Sequence, residues 1–176
     1  MVPEAPLEQA KSGGLVPKGE GWFVLNAREV PWGPGEGRGA YSDFEGEHEF
    51  SQVGVHLCVL APGDRMAMYH WEADQENFLV LSGECLLLVE GEERPLKAWD
   101  FIHCPPGTDH VFVGAGDGPC TLLAVGSRAS EEIVYPVSEV AARHGASVET
   151  ETPNPKEAYA PFGRSAEAPY RGQLDA

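Results

Sequence analysis

His70-Trp71-Glu72-Ala73-Asp74-Gln75-Glu76 opens the stretch that decides the fold. It runs on through Asn77-Phe78-Leu79-Val80-Leu81 to Ser82-Gly83 and closes at Pro105-Pro106-Gly107-Thr108-Asp109-His110. Side chains two apart on a strand share a face, so His70 and Glu72 point the same way with Cα atoms about 6.5 Å apart. An imidazole nitrogen and a carboxylate oxygen so placed can both reach one ion at bond lengths of about 2.0–2.2 Å. Glu76 follows a turn of Ala73, Asp74 and Gln75 and begins the returning strand, where it can face the same interior. His110 arrives from a separate Pro-Pro-Gly turn, directly before Val111-Phe112-Val113. His70, Glu72, Glu76 and His110 are therefore candidate ligands of a single metal ion. Two inward carboxylates beside two histidines would be costly to bury without a cation. Two imidazoles with two carboxylates form a hard, negative set, which favours Fe2+ or Mn2+ while still admitting Zn2+, Ni2+ or Co2+. Glu72 has a second option, as a catalytic base that moves a proton.

Met68, Phe78 and Phe112 share the ligands' parity on their strands and are expected either to wall a pocket or to pack in the core. His103, one residue before Cys104, either lines the pocket and hydrogen-bonds to a ligand or faces outward. His56, on the strand before Gly63, is a further pocket-lining candidate, whereas His48 and His144 read as solvent residues. Cys104 has only His103 nearby to lower its thiol pKa and is a poor nucleophile.

Outward from this stretch the pattern stays that of strands. Val53, Val55, Leu57 and Val59 alternate with Gly54, His56 and Cys58, and Cys85–Val89, Phe101–Cys104, Val111–Val113 and Thr121–Val125 follow between Gly, Pro and Asp signals. Short strands at intervals of roughly ten residues indicate an all-β sandwich or barrel. Trp22–Leu25 reads as a first strand. Pro31, Gly33, Pro34, Gly35, Gly37 and Gly39 exclude regular structure and predict a long loop, either a cover for the barrel mouth or a tolerated insertion. Ser138 as an N-cap, Glu139 in the first turn and Gly145 as a terminator predict one short helix over 139–144. The organisation expected is an N-terminal arm (1–20) ordered only by a partner, a barrel (21–137), a short helical segment (138–149), and a tail (150–176) that lies on the surface or reaches a partner.

The chain of 176 residues suits a single domain. Its 12 Lys and Arg face 28 Asp and Glu, a formal net charge of -16. Such a surface repels phosphate backbones and anionic lipid, so neither nucleic acid nor membrane is an expected partner. Cys58, Cys85, Cys104 and Cys120 are widely spaced, without a paired metal or redox motif. With no signal-like start and no apolar run of about 18 residues, a reduced cytoplasmic protein is expected.

The two spaced motifs resemble those of the cupin superfamily. The first of these has Gly, His-x-His, Glu three or four residues on, and Gly after six more. Here His70-Trp71-Glu72, Glu76 and Gly83 follow it, with Glu72 where the second His is usual and six residues, not five, after Gly63. The second has Gly, five residues, Pro-x-Gly, two residues, His, three residues and Asn. Here Trp99 stands for the Gly, Pro105-Pro106-Gly107 and His110 match, and Gly114 stands for the Asn. The resemblance covers roughly residues 45–128. It implies a cupin-type antiparallel β-barrel, a double-stranded β-helix or jelly roll, with a divalent metal, a small-molecule ligand or substrate and a homodimer. Three functions are expected in this order: a metal-dependent oxygenase of the dioxygenase type on a small organic molecule; a non-catalytic module that binds or senses a small ligand; and a sugar isomerase or epimerase.

Overall fold

Regular structure begins earlier in the chain than the sequence pattern indicates. A computed structural model describes residues 1–33, 37–162 and 166–175. In it the first twenty residues are not a free arm: β1 (Leu7–Gln9) pairs antiparallel with β2 (Leu15–Pro17), and the Ala5 amide donates to the Trp22 carbonyl at 2.9 Å. Ala5 is buried, which supplies the local anchor that the polar composition hides. The strand expected over Trp22–Leu25 is reduced to one bridge between Glu4 and Trp22; Leu25 instead turns its side chain into a cluster with Val30 and Trp32. The Gly- and Pro-rich segment contains a short strand, β3 (Pro31–Trp32), before β4 (Ala40–Asp43). Pro34 and Gly35, part of the loop expected to cover the barrel mouth or to be a mere insertion, lie outside the described residues.

The central strands follow in order: β5 (Val53–Leu60), β6 (Trp71–Glu72), β7 (Glu76–Ser82), β8 (Glu84–Val89), β9 (Glu92–Lys97), β10 (Phe101–Cys104), β11 (His110–Ala115), β12 (Cys120–Ser127) and β13 (Ile133–Val134). Two short helices, α1 (Glu139–Arg143) and α2 (Pro155–Ala158), and a last strand, β14 (Ala168–Pro169), complete the chain. One antiparallel sheet has the order β10-β7-β12-β5-β4, and it faces a second of order β11-β8-β9. Cys58, Leu60, Phe78, Val80, Leu122 and Ala124 from the first sheet meet Cys85, Leu87 and Phe112 from the second, making the core between them. The architecture is the double-sheet, jelly-roll form of the cupin fold, as expected. Among the described residues the two sheets do not join into one closed hydrogen-bonded barrel.

Both sheets are also covered on their outer faces, which is why apolar residues occupy both parities of β5 and β11. Leu57 and Val59 pack outward on Val30 and Trp32, with Tyr170 and Leu174 from the C-terminal segment alongside. Val111 and Val113 pack outward with Tyr69 and Leu88 on Ala141 and Ala146 around α1. That helix starts as its sequence predicts: the Ser138 hydroxyl accepts from the Ala141 amide at 3.2 Å. The tail takes the first of its two expected courses and lies on the molecule, through α2 and through Ala168 of β14 paired with Trp32 of β3. No helix among the described residues is long and apolar enough to cross a membrane.

Two departures from the family motifs acquire a structural meaning. Trp99 stands in the left-handed region at φ 77, where glycine is the unstrained choice, and its amide still donates to the Val80 carbonyl at 2.8 Å. Gly114 packs so closely that an added Cβ would lie 2.1 Å from the Ala61 carbonyl oxygen. Its amide donates to the Asp64 carbonyl and its carbonyl accepts from the Gly63 amide, so the turn before the first motif is seated on this glycine.

Candidate metal centre

The segment from Arg65 to His70 runs beside β11 as an irregular extra strand. The Met66 amide donates to the Phe112 carbonyl at 2.9 Å, and His70 and His110 form an antiparallel bridge at its end. That bridge sets the two imidazoles side by side with ring centroids 5.0 Å apart. Each ring is then oriented by a carbonyl two residues earlier: His70 Nδ1 donates to the Met68 carbonyl at 2.7 Å and His110 Nδ1 to the Thr108 carbonyl at 3.0 Å. A carbonyl only accepts, so in both neutral rings the proton sits on Nδ1 and the Nε2 lone pair is turned to the interior.

What faces those lone pairs is carboxylate oxygen. His110 Nε2 lies 3.3 Å from Glu76 Oε2, and His70 Nε2 lies 3.7 Å from Glu72 Oε1. Ligand atoms of His70, Glu76 and His110 all fall within 4.8 Å of one another. Two donors bonded to a common ion at about 2.1 Å stand roughly 3 to 4.2 Å apart, so the three require little contraction to share one. Glu72 flanks this group from β6, with 33% of its side chain exposed against 17% for Glu76. Of the four candidate ligands, three converge and the fourth stands beside them.

The electrostatics fit a cation. Burial, reinforced by the negative charge of Glu72, pushes the Glu76 carboxyl up to about 7. Burial and the neighbouring His70 push His110 down to about 4. His70 is pushed down by burial, but its hydrogen bond to Glu72 and the charge of Glu76 outweigh that and raise it. Lone pairs aimed at carboxylates repel unless a proton or a metal ion lies between them, and a divalent ion would satisfy both imidazoles and Glu76 at once.

The three residues sit in a cavity of about 470 Å3 between the sheets. Leu60, Met66, Phe78, Phe112 and Ala124 supply apolar wall, and Glu72 and His56 also line it. Phe78 and Phe112 pack as a tilted pair with centroids 4.6 Å apart, Phe78 approaches His110 at 5.3 Å, and both rings line the cavity. Met68 does not line the cavity. The backbone bends between Met66 and His70, the alternation of faces fails there, and Met68 packs instead with Tyr135 and Ala158. His103 takes the outward of its two options: it is exposed and bonds Asn77 Oδ1 at 2.9 Å, while its neighbour Cys104 turns inward to the core. Burial pushes the Cys104 thiol up to about 12, consistent with an inert core cysteine.

Sequence reasoning missed Arg38, Tyr135 and Tyr159, all of which line the cavity. The Tyr135 ring lies tilted beside His70 with centroids 5.8 Å apart, and Tyr159 meets Tyr135 edge to face at 5.7 Å. None of the three carries a spacing signal, because each reaches the cavity from a segment outside the strand motifs.

Comparison with known proteins agrees with this architecture. Residues 56–126 match the family model for the cupin domain. An oxalate-binding protein from Thermotoga maritima is 25% identical over 115 residues, covering 61% of this chain and 95% of that protein. The solved structure of an RmlC-like cupin from Shewanella frigidimarina superposes with TM-score 0.53 at 18% identity, over 61% of this chain and 92% of the other. A cupin-superfamily sugar phosphate isomerase from Silicibacter pomeroyi is 28% identical over 55% of this chain and 69% of that chain, with TM-score 0.47. The chain spans about half, 54%, of a further structure, from Acidithiobacillus ferrooxidans, at 28% identity, 47% of this chain and TM-score 0.44. Motif, strand order and domain match coincide on the same residues, and the stretch from 56 to 126 is similar to the cupin domain.

Proposed function

We propose that this protein is a mononuclear metal-dependent enzyme of the oxygenase type acting on a small organic molecule, with His70, Glu76 and His110 as the metal ligands. The observation that carries the reading is the convergence of two imidazole Nε2 atoms and one carboxylate on a single point at the wall of an open cavity. Two histidines and one carboxylate on one side of an ion leave the opposite positions free, the arrangement used by non-haem Fe2+ oxygenases. Fe2+ or Mn2+ is favoured; Zn2+, Ni2+ and Co2+ share the affinity for imidazole. A bound ion would supply Lewis acidity and, as iron, one-electron chemistry toward dioxygen.

The remaining roles fall to the chain itself. Glu72, a third exposed and 3.7 Å from His70 Nε2, would take a proton from a substrate at Oε1 and pass it to water. Phe78 and Phe112 exclude water from one side of the ligand set. A second reading, a binding module without turnover, draws support from the oxalate-binding relative. The isomerase reading, where a phosphorylated sugar is the substrate, has two arginines in the cavity lining to offer, and Arg128 is committed to Glu45 at 2.7 Å. A homodimer belongs to the proposal as well: exposed Phe101 lies on β10, the edge strand of the larger sheet.

Metal analysis of protein purified without chelator, then reconstituted anaerobically with Fe2+ or Mn2+, tests the reading. One ion per chain is expected, and a content below about a tenth of an ion per chain after reconstitution overturns it. With Fe2+ bound, nitric oxide should give a high-spin iron nitrosyl EPR signal that reports the open position. A loaded protein without that signal would favour the binding module.

A further inference from the structure

Arg38 lies outside the cupin domain match, on the segment before β4, yet it reaches the same cavity as His70, Glu76 and His110. Its backbone is fixed to the segment that delivers His70: the Gly39 amide donates to the Arg65 carbonyl at 3.1 Å, and Gly39 is pressed so closely on Leu60 that no side chain would fit. Its guanidinium lies over the Tyr159 ring at 4.4 Å from the centroid and within 5.6 Å of the Phe162 centroid. The aromatic shelf holds the charged group in a set orientation. Among the described residues Arg38 has no carboxylate partner, and its Nε is buried without a hydrogen bond. The other arginine in the lining differs sharply: Arg128 binds Glu45 through both carboxylate oxygens, at 2.7 and 3.0 Å, and the Phe50 carbonyl at 2.9 Å.

We propose that Arg38 is the anchor for a substrate carboxylate, so that the molecule taken at this site is a small organic acid with its reacting end toward His70, Glu76 and His110. The inference rests on the metal-centred reading of that site. Three observations select a carboxylate. A guanidinium offers a planar pair of N–H donors that matches the two oxygens of a carboxylate. Among the lining residues Glu72, Glu76, Glu131 and Glu132 are acidic and Arg128 is paired with Glu45, so a divalent ion and Arg38 are the positive groups left to meet an anion of low charge. A phosphate dianion would meet a single available guanidinium in a cavity lined by four acids. Arg38 shares the cavity lining with Tyr41, Tyr135 and Tyr159, whose hydroxyls make its surroundings polar.

The test is isothermal titration of the metal-loaded full chain with acetate, oxalate, succinate and inorganic phosphate, comparing wild type with Arg38→Gln and Arg38→Lys. Metal content and melting temperature are measured on each. Wild type should bind at least one of the carboxylates, Arg38→Gln should weaken it about 10- to 100-fold, and Arg38→Lys should fall between, all at equal metal content. Equal carboxylate affinity in wild type and Arg38→Gln overturns the proposal, as does Arg38-dependent binding of phosphate in preference to every carboxylate. No carboxylate binding by the loaded wild type overturns it too. If wild type takes up no metal, the proposed function falls instead, and the same titration of the metal-free chain decides the role of Arg38. If Arg38→Gln does not fold, the comparison of wild type with Arg38→Lys stands in its place: unchanged affinity overturns, weakened affinity supports.

Discussion

His70 and His110 hydrogen-bond to each other through their backbones, the amide of each donating to the carbonyl of the other at 3.2 and 2.8 Å, while their side chains turn the same way. Two strands that approach from distant parts of the chain thereby deliver one pair of imidazoles in fixed register. The geometry of the imidazole pair is a product of strand pairing, so the two rings are held in place by the fold itself.

Replacing either histidine should abolish tight metal binding. His110→Ala and His70→Ala each remove one of three converging donors, and affinity is expected to fall by at least about 100-fold, more than the loss of a supporting hydrogen-bond partner costs. Competition against a chelating dye measures it. Retention of wild-type affinity in His110→Ala would remove that residue from the ligand set.

Glu72→Gln should behave differently. It leaves the three converging donors intact, so one ion per chain should remain, while proton transfer to the substrate slows by about 10²- to 10⁴-fold. Metal content is the deciding measurement: its loss would place Glu72 among the ligands.

The pH dependence follows from opposed shifts. In the metal-free fold, Glu76 raised from 4.5 to about 7 adds stability that is fully present below 4.5 and lost as pH rises through about 7. His110, depressed from 6.5 to about 4, adds stability present above 6.5 and lost as pH falls through about 4. Between pH 4.5 and 6.5 the two slopes largely offset. An ion must displace the Glu76 proton, so its stabilising increment should be largest above pH 7 and shrink below it. Calorimetric melting of loaded and metal-free protein across this range reads the difference; an increment that grows on acidification contradicts the site.

Trp99→Gly should stabilise the protein. Trp99 is 74% exposed, so little packing is lost, and a bulky residue at positive φ costs on the order of 1 kcal/mol or more. Part of the gain is returned through the greater freedom of an unfolded glycine, leaving a net rise of about 2 °C in melting temperature. A lower melting temperature would mean that the indole makes a contact worth more than the strain.

Gly114→Ala tests the opposite case. The added methyl would press on the Ala61 carbonyl, and the cost should be about 1–3 kcal/mol, read by denaturant unfolding.

The residues of the candidate metal site were legible in the sequence because their spacing is local and periodic: His70 and the flanking Glu72 two apart, Glu76 beyond a tight turn, His110 after Pro-Pro-Gly. Helix α1 was legible for the same reason, since Ser138 and Gly145 act within one turn of the chain. Met68 takes the core option of its two because alternation holds only where the backbone is extended, and the bend before His70 breaks it. His103 was ambiguous because a four-residue strand has no pattern long enough to name its inner face. Arg38 was invisible. A long side chain leaving a Gly- and Pro-rich segment shows where it goes only when Tyr159, some 120 residues on, is brought beneath it. The N-terminal hairpin was missed because three-residue strands are held by their neighbours, not by their own composition.

The pairing of Ala168 with Trp32, and the burial of Leu57 and Val59 beneath the segments that meet there, separates two units that are often treated as one. The unit of inheritance is the stretch from 56 to 126 that carries the motifs. The unit of folding is larger, because excising that stretch would strip β5 of its outer covering and leave its two rows of side chains divided between core and water. Recruitment of this scaffold to a new chemistry therefore has two separate fields of variation, one in the motif strands that carry His70, Glu76 and His110 and another in the flanking segments that both seal the sheet and bring Arg38 and Tyr159 to the cavity.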